Sequence, residues 1–315
     1  MSCYHHLTIA ERESLLVYRT QGLSIRACAR RLGRTPSTIS REFKRNPPEY
    51  SPNKAQQAYE QRRQACVPKH RLADGELNMT VRFLLTYCLW SPEQICERLR
   101  LETDRCVVGT STIYRALDNG IMRDTARYYL RIKYKRLGKS KKKSRKCFAK
   151  SITLRPDEAN RRARLGDWEG DTVLGHNERP RLVTLVDRKA RYTLIGKVDN
   201  AEAETINETV TRLLRGHVAH SITFDQGSEF AFAHQLENEL NTHVFFAHPH
   251  SPWERPSNEN TNGLIRQFVP KRTPISPLTH DDVSSIAARL NLRPRKCLGW
   301  KTPYEIFFHS SLHFS

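Results

Sequence analysis

Helical spacing of apolar residues dominates the first part of the chain, and from residue 166 it gives way to strand-like runs. Thr8 and Glu11 have capping-box spacing, and Leu15, Leu16 and Tyr18 follow before Gly22, which predicts a first helix. Ser24 is placed to cap a second, IRACARRL, stopping at Gly33. Thr35 and Pro36 read as N-cap and first residue of a third, STISREFKRN, closed by Pro47 and Pro48. Three short helices with a glycine turn between the second and third predict a helix-turn-helix domain over residues 1–50. Ile25, Ala29, Leu32 and Ile39 would form its core. Ser37, Thr38, Arg41, Lys44 and Arg45 would then face outward, residue types that contact phosphates and base edges. The alternative is a plain three-helix bundle with a solvated basic face.

Residues 51–130 read as a helical region with a second, looser candidate helix-turn-helix. Ser91 and Pro92 open PEQICERLRLE, and Thr110 or Ser111 opens STIYRALDNG, which carries Tyr114 and Arg115. Arg115 is a candidate DNA contact, against a purely structural or self-associating bundle. Residues 131–160 read as a basic linker: RIKYKRLGKSKKKSRKCFAK holds 11 basic residues and no acidic ones, so it cannot pack as a core and suits the DNA backbone.

In the back half, GDWEGDTVLG and RLVTLVDRKARYTLIGKVDN give three strand-like runs, with Val183, Leu185, Val186, Tyr192, Leu194 and Ile195 as sheet formers. A helix at about 201–215, a strand SITF, a helix GSEFAFAHQLENELN and a strand THVFFA follow, and then SNENTNGLIRQF with Leu264, Ile265 and Phe268 at helical spacing. That order predicts a mixed α/β domain over residues 161–315.

Charge changes the picture. The chain of 315 residues, 38% hydrophobic, is long enough for two or three domains, and its net charge of +20 lies almost wholly in the first half. Residues 1–150 hold 32 basic and 13 acidic side chains, whereas residues 151–315 hold 21 and 20. A surplus so placed suits a polyanion, because each neutralised phosphate releases condensed counterions. No apolar run approaches the roughly 20 residues of a membrane span, and the start, MSCYHHLTIAERE, lacks a signal-peptide apolar region. The expectation is a soluble, cytoplasmic protein with nucleic acid as partner and no membrane. The eight cysteines include no Cys-x-x-Cys pair, so neither a zinc ribbon nor a disulfide framework is expected; most read as reduced, buried residues.

Three carboxylates sit at ends and loops of the back-half elements: Asp171 after Gly170 in the first strand, Asp225 at the end of the fourth, and Glu259 at the start of the last helix, with 33 residues between Asp225 and Glu259. Hard divalent cations such as Mg²⁺ or Mn²⁺ take carboxylate, phosphate and water oxygens. Two of them roughly 4 Å apart can serve in-line phosphoryl displacement. Asp167, Asp187 and Glu254 are rival acids, and the residue pattern leaves them open.

The strings WEGDTVLG, TFDQGSEF, SPWERPSNENTNGLIRQFVPK and RPRKCLGWKTPYEIF resemble the integrase-type catalytic core of bacterial insertion-sequence transposases, in particular the IS-thirty family, over nearly the whole chain. The resemblance implies an α/β RNase H-like catalytic core preceded by an all-α helix-turn-helix DNA-binding region. It implies an Asp-Asp-Glu triad falling on Asp171, Asp225 and Glu259, and two divalent metal ions, Mg²⁺ or Mn²⁺. The expected function is binding of terminal inverted repeats followed by metal-dependent cleavage and strand transfer. Double-stranded repeat and target DNA would be the partners, acted on by a homo-oligomer at the bacterial nucleoid. A DNA-binding repressor with an inactive core is the alternative. Arg266, seven residues after Glu259 on the same helix face, is a candidate grip for a terminal phosphate, against a plain surface role. Asn258, Asn260 and Asn262 could orient ligands or only cap the helix, and Trp253 and Trp300 read as packing residues.

Overall fold

The computed structural model describes residues 5–46, 49–66, 70–73, 75–122, 150–176, 179–200, 202–249 and 251–314; apart from Lys150, the expected basic run at 131–150 lies outside them. The chain divides into two compact units, Met1–His70 and Arg71–Ser315.

The first unit holds α1 (Ile9–Thr20), α2 (Ile25–Leu32), α3 (Pro36–Arg45) and α4 (Pro52–Ala65). Its caps follow from the sequence. Thr8 and Glu11 form a reciprocal capping box, Ser24 and Thr35 accept from the amides of Ala27 and Thr38, and Gly33 closes α2 at φ 61°. The core is Leu7, Leu15, Cys28, Ala29, Ile39, Tyr50 and Ala55, with Leu32 packed at its edge. Ile25 does not join it: as the first residue of α2 it lies at the rim of the bundle, 40% exposed. A buried ion pair organises the unit. Arg12 donates to Glu42 at 2.7 Å, to Gln56 at 2.5 Å and to the Leu7 carbonyl at 2.8 Å, joining α1, α3 and α4. With Tyr50 and Ala55 in its core, the unit continues past the expected boundary at residue 50.

The second unit begins with α5 (Glu76–Thr86), α6 (Pro92–Thr103) and α7 (Thr110–Asp118), which bury Leu84, Trp90, Ile95, Leu99 and Ile113 together. After α8 (Asp157–Arg161) come β1 (Asp167–Leu174), β2 (Arg181–Asp187), β3 (Thr193–Val198), α9 (Ala203–Leu214), β4 (Ser221–Phe224), α10 (Ala233–Leu240), β5 (His243–Phe246), α11 (Pro256–Ile265), α12 (His280–Asn291) and α13 (Pro303–Phe308). The five strands form one sheet in the order β3-β2-β1-β4-β5. Pairing is antiparallel from β1 to β3, and β4 and β5 are parallel additions on the other edge of β1. This is the RNase H-like arrangement, with β1 central.

Alternation along β1 sends Trp168 into a core shared with α9 and α10 on one face, and Val173 into a second core with Leu264, Ile265, Val283 and Leu290 of α11 and α12 on the other. At Gly170 a Cβ would meet the Phe224 ring at 2.2 Å, so only glycine lets β4 approach β1 there. The expected helix over GSEFAFAHQLENELN is split. Phe230 stacks on Phe224 at 4.2 Å from a short 3-10 turn, and regular helix resumes at Ala233.

Helices α5–α7 are stitched to the end of the chain. Arg98 on α6 forms a two-bond fork with Glu305 at 2.7 and 2.8 Å and a bond to Glu102 at 2.6 Å. Glu102 accepts the Phe314 amide, and the Phe314 ring packs edge-on against Trp90. Of the six described cysteines only Cys28 and Cys96 are buried, fewer than expected, because Cys66, Cys106 and Cys297 fall on exposed helix ends and turns.

Candidate active site

The catalytic candidates meet at the β1–β4 seam. Asp171 occupies the middle of β1, opposite Thr184 of β2, and Asp225 immediately follows β4. The parallel register, with Glu169 opposite Thr223, brings Asp171 level with Asp225 just past the end of β4. Between them lies a cation that sequence reasoning missed. Arg255, the N-cap residue of α11, donates to the Asp225 carboxylate at 3.1 Å and to the Gly170 carbonyl at 3.0 Å, and stands 3.7 Å from Asp171.

Asp171 is further held by the Thr172 amide at 2.9 Å and the Asn262 side-chain amide at 2.7 Å. Burial pushes its carboxyl up to about 6, reinforced by the charge of Asp225 and opposed by Arg255 and these donors. Glu259 stands on the first turn of α11. It lines a cavity of about 440 Å³ together with Asp171, Arg255, Asn258, Arg266 and Lys271. Among the described residues no three side chains of metal-ligating type stand close enough to hold one ion. The donors themselves are nevertheless all oxygen, as hard cations prefer, and a positive group already stands between two of them. The chemistry of the set therefore fits a divalent metal.

The start of α11 is built from β1. Pro256 takes the first helical position, where its fixed φ and missing N–H suit the helix. Glu169, fully buried two residues before Asp171, accepts the amides of Ser257 and Asn258 at 3.1 and 3.2 Å and the Ser257 hydroxyl at 3.1 Å. Arg188 pairs with the same carboxylate, and Arg191 donates to the Ser257 hydroxyl at 2.5 Å. The alternation of β1 was the available signal for Glu169: it puts residues 169 and 171 on one face.

Each rival acid has other partners. Asp167 is buried against Arg164 and the Ser221 hydroxyl. Asp187 accepts the amides of Gly166, Lys189 and Ala190, and burial still raises it to about 6. Glu254 pairs with His248 at 2.7 Å. Glu229 is an additional acid near Asp225. It accepts from Thr172 at 3.1 Å and Arg181 at 3.4 Å, and a Cβ on Gly227 would touch both Glu229 and Asp225.

Arg266 is half-buried at the end of α11 and donates to the carbonyls of Leu174 and Val269 at 2.8 and 3.4 Å. Neither Nδ2 nor Oδ1 of the Asn258 side chain has a hydrogen-bond partner, although the residue is 1% exposed. Trp253, expected to pack, is 70% exposed, since the short 3-10 turn carrying it lies outside the hydrophobic cores. In the first unit Ser37, Arg41, Lys44 and Arg45 are exposed on α3 and Thr38 is half-buried; Thr38, Arg41 and Arg45 share a cleft with Tyr59 and Arg62 of α4. Arg115 is exposed on α7.

Capped helices of helix-turn-helix type ahead of an RNase H-like sheet, with acids gathered at its central strands, define a DNA-processing protein with an integrase-type core. Sequence comparison with known proteins agrees. A family model described as a helix-turn-helix domain matches residues 3–46. The transposase for insertion sequence element IS1086 of Cupriavidus metallidurans is 37% identical, covering 96% of this chain and 94% of its own. Transposase InsI for insertion sequence element IS30A of Escherichia coli is 36% identical, covering 96% and 83%. The transposase for IS4351 of Bacteroides fragilis is 34% identical, covering 96% and 95%. The catalytic core domain of BIV integrase, a solved structure, aligns over 46% of this chain and 94% of that one at 18% identity and a TM-score of 0.36. The chain belongs to the IS30 family of insertion-sequence transposases. No helix among the described residues is long and apolar enough to cross a membrane.

Proposed function

We propose that the chain recognises the terminal inverted repeats of its own element through α2 and α3, and that its second unit cuts the ends and joins them to target DNA by an Asp171–Asp225–Glu259 site. One observation carries this reading: two carboxylates from neighbouring parallel strands share one guanidinium, and Glu259 lines the same cavity as the first of them. When bound, Mg²⁺ or Mn²⁺ supplies the positive charge that favours the attacking and leaving oxygens of an in-line displacement.

The protein's own groups do the placing. Asp171 and Asp225 are set by strand pairing and Glu259 by the pinned start of α11, so the acids are fixed before DNA arrives. Asn262 orients the Asp171 carboxylate. Arg266 and Lys271 line the cavity as partners for the phosphates flanking the cleaved bond. On the first unit, Ser37, Thr38, Arg41, Lys44 and Arg45 are proposed to enter a groove, with Arg115 as a further phosphate contact. Joining two ends calls for at least two copies of the chain.

Labelled repeat-end DNA with Mg²⁺ tests the reading. Strand-transfer product is expected, and Asp225→Asn or Glu259→Gln should abolish it while leaving repeat binding intact. Nicking without joining would indicate a nuclease, and binding with no cleavage a repressor; either outcome overturns the proposal.

A further inference from the structure

Both central carboxylates already accept hydrogen bonds from the protein. Asp171 accepts the Thr172 amide on Oδ1 and the Asn262 amide on Oδ2, and Asp225 accepts the Gly227 amide on Oδ1. Arg255 turns its guanidinium to both of them, 3.1 Å from Oδ2 of Asp225 and 3.7 Å from Oδ1 of Asp171. Arg255 is itself 12% exposed, and its Nε is buried without a hydrogen-bond partner. Its attachment is therefore incomplete: the Nη atoms are engaged and one donor of a desolvated cation is unmet. Such an arrangement can be exchanged more readily than a saturated ion pair.

We propose that Arg255 is a built-in counter-cation that competes with the catalytic metal for Asp171 and Asp225 and yields its place to it. This rests on the triad reading above. A guanidinium and a divalent ion cannot both occupy the position that bridges Asp171 and Asp225, so a metal bridging the two carboxylates displaces Arg255. Its backbone stays fixed at the N-cap of α11, four residues before Glu259, so the released side chain remains beside the cavity, among Asn258, Arg266 and Lys271, where a phosphate would lie. Before DNA and metal assemble, the arginine relieves the repulsion between two neighbouring carboxylates and weakens their hold on free metal.

The experiment is a Mn²⁺ titration of the full chain without DNA, followed by calorimetry or by the spectrum of free Mn²⁺. Arg255→Gln should bind Mn²⁺ about tenfold more tightly than the parent, the scale of one partly buried charge pair. Arg255→Lys, which keeps the charge, should fall between them. Melting temperatures without metal establish that the variants are folded. Equal or weaker Mn²⁺ binding by folded Arg255→Gln overturns the proposal. Asp225→Asn serves as the separate control: if it leaves Mn²⁺ binding unchanged, the triad reading itself fails, whatever Arg255 does.

Discussion

Replacing Glu169 by Gln removes one charge and almost no volume, yet it should disable the second unit twice over. Glu169 is fully buried and takes four hydrogen bonds, from Arg188, the Ser257 hydroxyl and the amides of Ser257 and Asn258. Removing one partner of a buried ion pair costs roughly 3–5 kcal/mol, because the other charge stays behind unpaired. Arg188 keeps its bond to the Ala159 carbonyl at 2.9 Å, so the lower end applies. About 3 kcal/mol in a domain of this size lowers the melting temperature by roughly 6–12 °C. The second loss is positional. Glu259, the proposed third acid, lies two residues beyond Ser257, and a shift of about 1 Å in a catalytic group costs on the order of a hundredfold in rate. Differential scanning fluorimetry and a cleavage assay on repeat-end DNA read the two effects separately. The double variant Glu169→Leu/Arg188→Met should restore stability, since both charges leave together, while cleavage stays about a hundredfold down because α11 has lost its anchor. Wild-type cleavage by that double variant would refute the positioning argument.

Two further outcomes are expected. Burial alone would raise the Glu305 carboxyl, but hydrogen bonds from Arg98 and from the Thr302 and Leu312 amides outweigh it and hold the group down at about 2. The stability it contributes is thus complete above the ordinary 4.5 and is lost as pH falls from there toward 2. Melting temperature against pH should show that limb, and Glu305→Gln should flatten it; a persisting limb would mean the fork with Arg98 is not its source. In the first unit, Lys44→Ala should weaken DNA binding evenly across sequences and reduce the slope of log K against log salt by about one, whereas Arg41→Ala should relax sequence preference; fluorescence anisotropy at several salt concentrations distinguishes them.

Much of this was legible from local rules. Thr8, Ser24, Thr35 and Gly33 mark their helix ends as caps do anywhere, and the change of periodicity at residue 166 marks the sheet. The acids could be singled out only as a set with family strings around them, since an Asp at a strand end is ordinarily a turn former. What escaped the sequence is non-local. Glu169 reads as one more polar strand position until α11, 88 residues on, is seen resting on it. Arg255 looks like a loop arginine until folding sets it between two carboxylates from different strands. Ile25 obeys helical periodicity, but periodicity does not say where a bundle ends.

The fork between Arg98 and Glu305 also has a kinetic meaning. The two residues are 207 positions apart, and α6 gains its partners only after the sheet and the helices that follow it exist. Loop-closure entropy must be met before such contacts return anything, which places them among the late events of folding. Until then Arg98 is a charge awaiting burial and Trp90, in the core of α5–α7, lacks the Phe314 ring that packs against it. A chain cut short before residue 300 by a frameshift would keep a complete helix-turn-helix unit with an unfinished neighbour. In such a fragment the helices α5–α7 would stay without their far partners, so the order of folding alone decides when the second unit becomes whole.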